Sequence, residues 1–110
     1  MNLESENLLA RVMNLDELIQ YQIGSVVSKT IIKQPVGTVT LFAFDKGEAL
    51  SEHTAPYDAL VYVIDGEAEI KISGTPKNVK TGEILIMPAN EPHSLYAVTK
   101  FKMMLIMIKS

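Results

Sequence analysis

An all-β, antiparallel sandwich or barrel is the fold class this sequence predicts, and three observations predict it. Short β-branched or alternating runs recur at the close, even spacing of turn signals that marks such domains. No segment of helix length separates those runs, which excludes parallel βαβ units. The chain has 110 residues, enough for one buried core and too few for two.

Taken in order, residues 1–13 mix Leu3, Leu8, Leu9 and Val12 with Glu4, Glu6 and Arg11, a spacing that fits a short amphipathic turn or helix. Asn14-Leu-Asp-Glu17 then reads as a capping box, with Asn14 at the N-cap and Glu17 three residues on. Leu15, Leu18 and Ile19 share one face of that turn, and the segment is expected to cover one end of a sheet structure. Residues 1–24 are thus a lead-in, and 25–110 a single barrel.

From Ser25 the pattern becomes β. Val26, Val27, Thr30, Ile31 and Ile32 form a first run, broken by Gln34-Pro-Val-Gly37. Thr38–Phe44 is a second strand, closed by Asp45-Lys-Gly47. Leu60–Ile64 and Glu67–Ile72 flank Asp65-Gly66, which reads as a two-residue hairpin turn. In the latter strand Ala68, Ile70 and Ile72 alternate with Glu67, Glu69 and Lys71, so one face is expected to be wet. A short strand around Val79, then Ile84–Met87, His93–Val98 and Phe101–Ile108 complete seven or eight strands.

Composition removes several function classes. Hydrophobic residues make up 47% and charged residues 21%, the balance of an ordinary globular domain. The net charge of −3 supplies no basic field for nucleic acid or anionic lipid. The absence of cysteine removes disulfides, thiolate nucleophiles and thiolate metal sites. The first residues are acidic where a secretory signal would be basic, and no window reaches the roughly 20 apolar residues of a membrane helix. The expected location is the cytoplasm.

Both histidines of the chain, His53 and His93, sit at strand edges beside turn residues. Their two segments carry the pattern Gly47, five residues, His53, then Gly66, and the pattern Gly82, five residues, Pro88, then Asn90 and His93. In both spacing and order these segments resemble the two motifs of the cupin superfamily, over about residues 38–108. The resemblance implies a jelly-roll (double-stranded β-helix) barrel. It also implies a homodimer, for which Ile84–Met87 and Met103–Ile108 give a physical motive: one greasy face enters the barrel and the other needs a partner.

In that family two histidines, a glutamate and a further histidine surround one divalent metal. Here His53 and His93 stand at two of those positions, and Ala55 and Ala59 occupy the others. Asn90 replaces a motif glycine and tolerates the positive φ the turn requires. Asp58, next to the glutamate position, is a speculative third ligand; as a strand neighbour of Ala59 it would point outward. Any metal would be a transition ion such as zinc, nickel, iron, manganese or copper. Met87, Met103, Met104 and Met107 read as core filler ahead of soft ligands.

Two functions therefore stand side by side. The first is a small-molecule binder with a lost or degenerate metal centre, its pocket lined by His53, Ala55, Tyr57, Ala59, Val61 and His93, with Tyr62 and Tyr96 as further hydroxyl donors. The second is a metal-dependent enzyme of dioxygenase or isomerase type, using His53, His93 and a recruited ligand. Ser51 and Ser94 lie near the histidines in sequence but show no third orienting group, which argues against a nucleophilic triad. No glycine-rich loop opens a helix, so a phosphate cradle is excluded too.

Overall fold

The computed structural model describes residues 7–109. After a 3₁₀ turn at Leu15–Leu18 come nine strands: β1 Val26–Gln34, β2 Gly37–Phe44, β3 Ala49–His53, β4 Ala59–Asp65, β5 Glu67–Ile72, β6 Thr75–Lys80, β7 Ile84–Met87, β8 His93–Ala97 and β9 Phe101–Ile108. They form a five-stranded sheet in the order β1-β2-β9-β4-β7 and a four-stranded sheet in the order β3-β8-β5-β6. Every pairing is antiparallel. From β2 onward the chain passes repeatedly between the two sheets, giving the two-layered roll expected.

Alternation explains which side chains meet. The buried hydrophobic residues are Ala59, Val61 and Val63 in β4; Ala68 and Ile70 in β5; Leu95 and Ala97 in β8; and Phe101 and Met103 in β9. With period two, these positions put one face of each sheet against the other. Phe44 stacks on Phe101 at 4.4 Å between centroids and 14° between planes, and both are fully buried. Met87 and Met103 belong to this core, and Met107 packs against it.

The Asp65-Gly66 step departs from the sequence reading. It does not close a hairpin, because β4 and β5 belong to different sheets. Gly66 instead turns the corner between them, at φ 88°, and an added Cβ would collide with the Lys100 carbonyl and Phe101. The dipeptide supplies the positive φ; whether the flanking strands then pair is a tertiary matter.

The N-terminal segment lies on the outer face of the five-stranded sheet. Ile19 forms a second cluster with Leu41 and Ala43, against which Leu15, Leu18, Tyr21, Ile64 and Met104 pack. Asn14 caps the turn as expected, its side chain accepting from the Asp16 N–H at 3.0 Å. Residues 7–13 form no helix, and the remainder of the expected amphipathic stretch, 1–6, lies outside the described residues. Lys102, 4% exposed, donates from Nζ to the Asp16 carbonyl at 2.7 Å and to its carboxylate at 3.0 Å. The Tyr21 hydroxyl donates to Asp65 at 2.6 Å, and the ammonium groups of Lys100 and Lys102 lie 4.8 and 5.1 Å from its ring centroid. Burial and the carboxylate it bonds push the Tyr21 phenol well above its usual range.

Candidate functional site: a paired imidazole at the barrel edge

His93 opens β8 and faces inward, in line with the buried Leu95 and Ala97. Simple alternation would send His53 the other way, because Leu50 pairs with Leu95 and His53 lies an odd step of three positions further on. The register shifts between Leu50 and His53, so that His53 pairs with His93 directly. One extra residue in β3 thus re-aims the side chain at its end. The bulge left no mark in composition or periodicity, and β3 itself, mostly exposed, was not legible as a strand.

The two rings meet edge to face at 4.4 Å between centroids and 71° between planes, with Nε2 of one 3.1 Å from Nε2 of the other. His53 Nδ1 lies 2.8 Å from the Ser51 carbonyl, and His93 Nδ1 lies 3.3 Å from the Glu91 carbonyl. A carbonyl can only accept, so each Nδ1 that makes this bond carries its proton and turns its Nε2 lone pair toward the other ring. A proton or a cation must therefore sit between the two Nε2 atoms, or one Nδ1 bond must be given up. His93 is 5% exposed while His53 is exposed. Burial, and the neighbouring His53, hold the His93 imidazole below its usual pKa, with the Glu91 carbonyl acting in the opposite sense.

The other expected site residues divide into two groups. Ala59 (3% exposed) and Val61 (fully buried) face the interior. The Ala55 carbonyl accepts from the Asn90 N–H at 2.7 Å, tying the two histidine-bearing loops together. Asn90 takes φ 66°, as its place in the motif required. Tyr57 and Asp58, by contrast, line a concavity of about 580 Å³ with Pro56, Leu60, Ile86, Ala89, Ile106 and Ile108. Leu60, Ile86 and Ile106 stand on the outer face of the five-stranded sheet. The Asp58 carboxylate accepts from the Ala89 N–H at 2.8 Å and holds that loop. Tyr62 lies between the buried Val61 and Val63, and Tyr96 between the buried Leu95 and Ala97. Strand parity therefore turns both phenols outward, away from the histidines.

The Cupin domain family profile matches residues 40–109. This chain is a cupin. Among solved structures, a conserved protein of unknown function from Streptococcus pyogenes is 35% identical with a TM-score of 0.88, covering 92% of this chain and 89% of its own. A cupin 2 conserved barrel domain protein from Leptotrichia buccalis is 45% identical with a TM-score of 0.86 over 88% of this chain; the match spans 47% of that longer protein. A cupin superfamily protein from Desulfitobacterium hafniense is 27% identical with a TM-score of 0.87, covering 92% of this chain and 93% of its own. No curated protein matches.

Cupin membership makes a metal at this place the first question. Two nitrogen ligands about 2.1 Å from a shared ion stand roughly 3.0–3.4 Å apart, and the Nε2 separation of 3.1 Å satisfies that. Carbonyl-anchored Nδ1 atoms also suit ligating imidazoles. The donor set stops there: among the described residues no group of three His, Cys, Asp or Glu side chains converges. A catalytic ion usually holds three protein ligands, so the residues present make half a centre and do not complete one.

Proposed function

We propose that this cupin is a small-molecule-binding domain protein of the cytoplasm whose metal centre has degenerated, working as a homodimer. The observation that carries the reading is the meeting of His53 and His93 at 3.1 Å between Nε2 atoms, with alanines at 55 and 59 where the family motif has its other ligands. The imidazoles offer hydrogen bonding at the edge of an apolar interior, and Ala55 and Ala59 put methyl groups where the family motif has ligating side chains. A compact ligand with a carboxylate or carbonyl and an apolar body suits that pairing. No helix among the described residues is long and apolar enough to cross a membrane.

The second reading, a metal-dependent dioxygenase or isomerase, is favoured by one observation, the convergence of both Nε2 atoms. It requires a third donor beyond the side chains gathered there.

Elemental analysis separates the two. Purified protein is expected to hold well under one equivalent of zinc, nickel, iron, manganese or copper, and none of these ions is expected to raise its melting temperature. Imidazole NMR with a panel of short carboxylates is expected to move the His93 ring signals in the wild type and not in His53→Ala. Stoichiometric metal that His53→Ala abolishes would instead support the enzyme reading.

A further inference from the structure

The two outer faces of the roll differ in kind. The outer face of the four-stranded sheet carries Glu69, Lys71, Asn78, Ser94 and Tyr96, a wetted surface. That of the five-stranded sheet carries one aliphatic row with a member from every strand in register: Ile32 opposite Val39, Val39 opposite Ile106, Ile106 opposite Leu60, and Leu60 opposite Ile86. Ile32 reaches this row through a register shift in β1 after Thr30, without which Ile31 would stand opposite Val39. Leu15, Leu18, Ile19 and Tyr21 of the N-terminal segment pack at the neighbouring end of the sheet, with Leu41 and Ala43.

We infer that this row is where two copies of the chain pack face to face, which rests on the homodimer in the proposed function and assigns its surface. Ile32 is 52% exposed, Ile86 55%, Ile84 56%, Ile108 66% and Val36 67%. Together they leave roughly 500 Å² of aliphatic surface in water, the upper range for the largest patch on a monomer. A two-fold contact doubles that to roughly 1,000 Å², with Val39, Leu60 and Ile106 in addition, and so reaches the size of a specific interface. The patch is also self-complementary in chemistry, since the row itself holds no charge and a second copy presents the same aliphatic strip. Two shallow troughs sharing Ile106 and Ile108 run along it, of about 580 and 270 Å³. They offer the second copy's side chains grooves to enter.

Light scattering across a dilution series tests the assignment. The wild type is expected to be a dimer at micromolar concentration. Ile106→Glu and Leu60→Glu, both on the row, are expected to weaken association at least a hundredfold, and Tyr96→Glu on the wetted face to leave the mass unchanged. Because the chain has no cysteine, Ile86→Cys gives a readout that introduces no charge: its maleimide reactivity should fall several-fold as protein concentration rises, and Tyr96→Cys should not respond. A wild-type dimer that persists in both row variants, with Ile86→Cys unprotected, overturns the assignment and leaves the homodimer standing. A wild-type monomer overturns both.

Discussion

His93 couples its surroundings to stability in a direction that can be worked out. Its folded pKa lies below the usual value of 6.5, so around that pH the unfolded chain binds this proton more readily than the folded one. The stabilising contribution of the neutral ring is complete above pH 6.5 and is lost as pH falls toward the folded pKa, with a slope of at most about 1.4 kcal/mol per pH unit. Melting temperatures measured from pH 8 to 5 should therefore fall more steeply for the wild type than for His93→Gln. The alanines at 55 and 59 make the complementary prediction. If their positions are those of lost ligands, the double variant Ala55→His with Ala59→Glu should acquire zinc or nickel at about one equivalent, with a metal-dependent rise in melting temperature that the wild type lacks. Gly66 fails for a different reason: at φ 88° with backbone atoms of residue 100 beside it, Gly66→Ala is expected to cost at least about 2 kcal/mol in denaturant unfolding.

Strands are where the sequence was most legible, and where it misled in one respect. Alternation in β5 marked Ala68, Ile70 and Ile72 as the inward set, and the first two are fully buried. β3 lacks such a signal, and the bulges in β1 and β3 invert the parity that a regular strand would have. A bulge is a choice the backbone makes to satisfy the neighbouring strand, so no residue type announces it. The N-terminal segment carries a further expectation. Lys102 is almost wholly buried and its carboxylate partner Asp16 is more than half exposed. Removing the partner alone leaves the ammonium with a carbonyl and the Tyr21 ring, whereas replacing the lysine removes the need for a partner. Asp16→Ala should therefore destabilise by about 1–2 kcal/mol, and Lys102→Met should be close to neutral or stabilising. Chemical denaturation of both variants checks the order.

Over the whole molecule, one core joins both sheets, and its centre is the Phe44–Phe101 stack. Phe101→Ala is expected to cost about 3–5 kcal/mol and to lower the unfolding midpoint of both sheets together, seen as coincident fluorescence and circular dichroism transitions. The sequence by itself determined the all-β class, the two motif segments, the turn at Asn90 and the pair of histidines, because each depends on local chemistry: period-two hydrophobicity, positive φ, and residue identity. The tertiary structure alone decided that Asp65-Gly66 spans two sheets, that Asp58 serves a loop, that Tyr62 and Tyr96 turn away, and that a bulge in β3 is what brings His53 to His93. Those outcomes depend on strand pairing between distant segments, where a shift of one residue exchanges the two faces of a strand and moves a side chain from solvent to interior.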